Sequence, residues 1–398
     1  MGLQSKVWTA IEPVKGLSFD LSGRVFVHRS PSHPVAMTIT LMSDSQALLD
    51  VIQPELSSDW KGRLIVTTAI RLPPNSNVQI DANLLAHVVV REPLSYVSSE
   101  AELVLHDGAL ASTSDESVTL KANDRGCVLY NTSASMELHS LSLDANDDAT
   151  IQILTPQLSI TDDITLKAND GGSVGIQSRD LAAHSLTSSA DDGGSIFVAS
   201  DIRVALLDTD IKDDGQVNLY PRGTCDDSSV KVSDSGNANL GSIACGSVDA
   251  KISDDGRIIV QALNTLETHV SDNGVIKFYN TTPLSFSSAS GQSKRRNAQF
   301  TSSNPFNLLE LKALPLDVPT HVQILSLHGD GPLTTITRSD TPEHAFQTDR
   351  PLPIARHRDM FDGLWLVVLF IVLFMGYTWC KPPKKTTEAQ PLMLVRYQ

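Results

Sequence analysis

The chain has 398 residues, long enough for two or three cored domains, and 46 acidic against 31 basic side chains give it a formal charge of −15. That acidity argues against nucleic acid as a partner, because phosphate binding draws on a basic surface. With 5% aromatic residues, 23 glycines and four cysteines, the composition excludes a disulfide scaffold and favours short strands and turns over helical bundles.

The opening residues, MGLQSKVWTAIEPVKGLSFD, hold no continuous apolar stretch of the kind a signal peptide needs, and residues 1–17 read as a tail. Residues 18–92 carry alternating runs at Arg24–His28, Ala36–Thr40 and Arg63–Thr67, separated by turn residues. Such alternation predicts strands with one buried face. This all-β part is expected to cap the residues after position 92, since the open end of a stack of strands is a bare sheet edge.

A repeat organises residues 93–285. Asp124, Asp147, Asp170, Asp192, Asp213, Asp234, Asp254 and Asp272 each stand two residues before Gly126, Ala149, Gly172, Gly194, Gly215, Gly236, Gly256 and Gly274, at spacings of 23, 23, 22, 21, 21, 20 and 18. Two residues beyond those third positions runs an apolar column: Val128, Ile151, Val174, Ile196, Val217, Ala238, Ile258 and Ile276. Four residues before them runs another that begins Ala122, Ala145, Ala168, Ala190. Alternation on both sides of the Asp/Gly turn predicts strand, tight turn, strand, and no repeat this short buries its own apolar face. Coils stacked about 4.8 Å apart solve that problem. With a degenerate coil at Val97–Leu105, the pattern predicts a parallel β-helix of about nine coils. A four-strand propeller blade needs about 40 residues, twice this period. The register sends Ile151, Val174, Ile196, Val217 and Ile258 inward and leaves Gln152, Gly175, Phe197, Asn218 and Ile259 facing solvent.

After Asn280 the composition turns Ser-rich and then Pro-rich, so residues 286–363 are expected to form a loose cap and an extended stalk, with Lys294–Arg295–Arg296 in a solvated loop. Residues 364–380, LWLVVLFIVLFMGYTWC, are seventeen residues without a charge, bordered by Trp365, Tyr377 and Trp379 and followed by Lys381, Lys384 and Lys385. That is the pattern of a single transmembrane helix in contact with the lipid bilayer, leaving 381–398 as a short basic tail. A span so near the end of a chain without a leader suits tail anchoring, with the repeats on the cytosolic side. The sequons at Asn131 and Asn280, possible glycosylation sites, argue for the other side, as does the basic tail.

The aspartate column carries the sharpest chemistry. Each member fits an Asx turn, with the carboxylate bonded to nearby backbone and the glycine supplying positive φ. The functional alternative is an acidic ridge for calcium or for basic partners, with Asp124, Asp147, Asp170, Asp192, Asp213, Asp234, Asp254 and Asp272 as metal candidates. Residues 111–280 hold 26 acidic and 11 basic side chains, a difference equal to the whole charge of −15. Paired carboxylates at Asp162–Asp163 and Asp226–Asp227 allow a β-helical carbohydrate-processing enzyme as an alternative. No histidine or arginine recurs beside an aspartate, however, so no catalytic residue is assigned. Cys225 and Cys245 fall at equivalent places in successive coils, within reach of a disulfide, and would form a reduced apolar ladder in a cytosolic domain.

The strands LSGRVFVHRS, the segment ALLDVIQPELSSDWKGRLIV and the turn-centred repeats LKANDGGSVGI and KISDDGRIIV resemble the GIN head domain of auto-transporter adhesins over about residues 18–285. The resemblance implies a β-helix and an adhesin-like role toward a protein or glycan ligand. It supplies no active site and no cofactor. Asp-Asp-Gly replaces much of that family's Gly-Ser-Gly turn, and the membrane segment is an addition. The reading that results is a single-pass membrane protein that presents an acidic β-helix as an interaction or structural module.

Overall fold

The computed structural model describes residues 2–59, 62–72, 78–288, 298–326 and 334–337. The expected transmembrane segment 364–380, the tail 381–398 and the Lys294–Arg296 cluster lie outside the described residues. Among the described residues no helix is long and apolar enough to cross a membrane.

The fold is all-β, a β-solenoid of about nine turns with almost no helix. Its N-terminal part contains β1 (Gln4–Ala10), β2 (Gly16–Asp20), β3 (Arg24–Arg29), β4 (Met37–Ser43), helix α1 (Gln46–Val51), β5 (Ile52–Ser58), β6 (Leu64–Ile70), β7 (Val78–Val90), β8 (Tyr96–Ser99) and β9 (Glu102–Leu105). From β8 and β9 onward the coils stack in parallel in sequence order. The column Leu103, Val128, Ile151, Val174, Ile196, Val217, Ala238, Ile258 and Ile276 is in direct register from coil to coil. Every member is buried, which is how a repeat too short for its own core acquires one.

The capping part differs from the expectation in two ways. Residues 1–17 are not merely a tail, because β1 pairs antiparallel with β4, which pairs antiparallel with β7. Nor do residues 18–92 only cover the stack. Strands β2 and β3 form a layer of it, parallel to β8 and β9 on one side and to β6 and β7 on the other. Val25 thereby extends the apolar column below Leu103, out of sequence order.

The turns are tight, with Gly126 N donating to Asn123 O at 2.8 Å and Gly172 N to Asn169 O at 2.8 Å. Positive φ falls on the aspartates, between 45° and 60° at all eight positions, and also on the next residue at Arg125, Asp148, Gly171 and Gly193, but not on the glycine two residues after the aspartate. Aspartate tolerates this region better than most residues. The glycine that most coils carry two residues later serves a different purpose: a Cβ at Gly194 would stand 1.9 Å from Ala168 O in the neighbouring coil, and one at Gly172 2.2 Å from Ala145 O. Beneath the first turns, Asn146 Nδ2 donates to Asn123 Oδ1 at 3.1 Å and Asn169 Nδ2 to Asn146 Oδ1 at 2.8 Å, a short amide ladder linking coils.

The largest departure lies after the last coil. Residues 304–318, expected as stalk, return along the solenoid as an extended strap. Asn304 Nδ2 donates to Ser242 Oγ at 2.7 Å, and Asn307 N to Asn218 Oδ1 at 2.9 Å. Gln152 closes both ways on the strap backbone, its Nε2 donating to Glu310 O at 2.9 Å and its Oε1 accepting from Lys312 N at 3.0 Å. Phe306 stacks on Tyr220 at 4.7 Å, and Arg24 donates to Leu316 O and Val318 O. Gln152, Asn218 and Ile259, expected at the surface, are therefore at most 3% exposed. The strand Thr320–Ser326 then adds antiparallel to β7, so the chain ends its described course at the capped end.

Candidate functional site

The eight column aspartates lie exposed along one ridge, one per coil, as stacking in register requires. Coils in contact bring Asp192 and Asp213 together with Asp191, and one carboxylate oxygen from each lies within 4.8 Å of the others. Asp191 was not among the sequence candidates; its signal was the acidic pair Asp191–Asp192 before the turn glycine. A hydrogen bond with Asp191, then desolvation and the charges of Asp192 and Asp234, raise the carboxyl pKa of Asp213. These three carboxylates are the described groups best placed to take a hard cation, which prefers oxygen ligands. At the first turn, burial and then the Asp124 and Asp20 carboxylates push Glu100 up to about 7.

A second feature occupies a corner of the solenoid. The sixth residue after each turn glycine position is Thr132, Thr155, Ser178 or Ser200 in four successive coils, all nearly buried. Their hydroxyls fix the bend: Ala134 N donates to Thr132 Oγ1 at 3.1 Å, Ser178 Oγ donates to Asp180 O at 3.2 Å, and Ser178 Oγ meets Ser200 Oγ at 2.9 Å. The bend leaves a groove of about 840 Å³ crossing five coils from Asn131 to Arg222. Beside it runs a ladder of charged side chains, of which Arg179, Asp201 and Arg222 line the groove. Asp180, Asp201 and Arg222 are in register, Arg222 Nη2 reaches Asp201 Oδ2 at 2.7 Å, and Arg179 Nε reaches Asp180 Oδ2 at 2.7 Å. Arg203 bridges to Asp180 at 3.4 Å. The guanidinium groups beside it, Arg179 first, hold the Asp180 carboxyl below the usual carboxylate range. The sequence held a signal for this corner, the Thr/Ser column, which passes unnoticed beside the sharper aspartate column.

Cys225 and Cys245 face one another across adjacent coils with Cα atoms 4.4 Å apart and are joined as a disulfide, in place of the reduced ladder expected for a cytosolic domain. Asn131 and Asn280 are both exposed, at the groove's end and beyond the last turn. The paired carboxylates are not brought together with each other. Asp162 meets His139 at 3.8 Å on an exposed edge, while Asp226 and Asp227 lie exposed beside Cys225.

No curated protein matches the chain. Solved structures that resemble it include a "putative adhesin" from Parabacteroides merdae, 12% identical over 75% of this chain and 96% of that one at a TM-score of 0.37. Two from Parabacteroides distasonis, titled "putative lipid binding protein" and "putative adhesin", are 14% and 13% identical, each over 75% of this chain and 97% of the other, both at a TM-score of 0.35. At such identities and scores nothing about a ligand follows for this chain. Residues 62–282, more than half of its length, match the family described as "Putative auto-transporter adhesin, head GIN domain", and the chain belongs to that family.

Proposed function

We propose that the protein is a single-pass membrane protein whose acidic β-solenoid is an adhesin-like binding module on the non-cytosolic side. Family membership supports the binding role. The observation that carries the sidedness is the disulfide between Cys225 and Cys245, because such bonds persist in oxidising compartments and are rare in the cytosol. The exposed sequons Asn131 and Asn280 suit the same side, and the basic tail 381–398 suits the cytosol. This replaces the tail-anchored cytosolic arrangement that the bare sequence favours. The uncharged run 364–380 is the proposed anchor. The strap returns the chain to the capped end.

Carbonate extraction and protease protection of membranes carrying the full-length chain test this reading. The chain should stay with the bilayer, deletion of 364–380 should release it, and the head should be shielded in sealed vesicles of cytosol-out orientation. Release of the intact chain, or digestion of the head in those vesicles, overturns it.

A further inference from the structure

We infer that the corner groove between Asn131 and Arg222 is a binding site for a carboxylate-bearing oligosaccharide, an assignment that rests on the binding-module reading and gives it a ligand class. The stack is strongly acidic, with 26 acidic and 11 basic residues between 111 and 280, yet three of those eleven, Arg179, Arg203 and Arg222, stand on one corner in successive coils. They are 76%, 53% and 76% exposed, while the two carboxylates they share, Asp180 and Asp201, are 24% and 23% exposed. Among the residues that line the groove, Arg179 and Arg222 against Asp201 leave an excess of one positive charge where the surrounding surface is negative. Exposed ion pairs of this kind add little to stability, so the ladder's value to the fold does not account for it.

A planar guanidinium keeps N–H groups free after bonding one carboxylate and pairs a second in the same fork geometry. The groove lining also includes Asn131 and Gln177, whose side-chain amides are donors and acceptors suited to sugar hydroxyls. The groove spans five coils, four steps of about 4.8 Å or roughly 19 Å, which fits an extended oligomer better than a single small anion. An acidic peptide fits less well. Through the middle of the groove Gln177 and Ala199 are paired on both sides by neighbouring coils, and the backbone left unpaired on one side at Leu219–Arg222 is four residues long and contains Pro221, a poor template for strand addition.

Calorimetric titration of the purified full-length chain with short oligogalacturonates tests the assignment, alongside neutral oligosaccharides of equal length and an array of carboxylated glycans. Binding of a carboxylated glycan without its neutral counterpart is expected. The double substitution Arg179→Ala, Arg222→Ala should weaken it at least tenfold with an unchanged thermal midpoint, whereas Lys231→Ala, on a different groove, should leave it unchanged. Absence of any bound carboxylated glycan overturns the inference, as does equal affinity in the double variant or equal binding of neutral sugars. Polyglutamate bound with the same arginine dependence would assign the groove to acidic peptides instead. Extraction and protection do not depend on the ligand, so failure here leaves the membrane reading standing and failure there leaves this one.

Discussion

Replacing Gln152 by alanine should loosen the strap while leaving the solenoid intact. Gln152 is 3% exposed and bonds the strap backbone twice, at 2.9 Å to Glu310 O and 3.0 Å from Lys312 N. A net contribution of about 1 kcal/mol per hydrogen bond gives about 2 kcal/mol, or roughly a thirty-fold larger opening constant for the strap. Little of this should reach the global transition, because the strap inserts few apolar groups: Leu308 is 67% and Leu316 76% exposed. Hydrogen exchange read by mass spectrometry on peptides covering 304–318 measures the opening directly. Exchange there should accelerate by one to two orders of magnitude while peptides from the Val174 and Ile196 strands keep their protection. If the strap exchanges at free-peptide rates in the unmodified protein, or is unaffected by the substitution, it does not pack as described.

Four further outcomes are expected. Val174→Asp should cost more than about 3 kcal/mol by chemical denaturation, since Val174 is fully buried between Ile151 and Ile196 and its replacement has no partner for a charge; a near-neutral result would place that column at the surface. Gly194→Ala should cost about 1–3 kcal/mol through the clash of its Cβ with Ala168 O, a backbone atom that can yield only with its coil. Glu100, with a folded-state pKa of about 7 against an ordinary 4.5, binds its proton more tightly when folded, so its burial costs stability above pH 7 and the cost disappears as pH falls toward 4.5. The full shift corresponds to about 3 kcal/mol, reduced to about 1 kcal/mol for a carboxyl only half-buried, and Glu100→Gln should flatten the pH dependence of the midpoint over that window. Millimolar calcium should raise the midpoint at constant ionic strength through Asp191, Asp192 and Asp213, and Asp213→Asn should abolish the rise; equal midpoints with and without calcium would leave these residues as turn formers only.

The repeat was legible in the sequence because its information is local and reiterated. Each coil sees only its neighbours, so the positions of Val128, Ile151, Val174 and Ile196 relative to their own turns suffice to fix the register, and the same logic places Cys225 opposite Cys245. The corner hydroxyls Thr132, Thr155, Ser178 and Ser200 recur in the same way and were equally readable. Which residue of the turn takes positive φ was not readable, because an Asp-x-Gly sequence satisfies either arrangement and the choice depends on how closely the neighbouring carbonyl approaches the glycine. Tertiary structure alone decided the remainder. The layer formed by β2 and β3 enters the stack out of order, and the strap occurs once, so neither leaves a period to detect. The strap's polar, Pro-containing sequence resembles a linker, and its place is set by partners as far as 294 residues away, Arg24 for Val318, with Gln152 160 residues from Lys312. The Arg–Asp ladder likewise exists only after stacking, since Arg222 and Asp201 become neighbours when one coil settles on the next and nothing along the chain joins them.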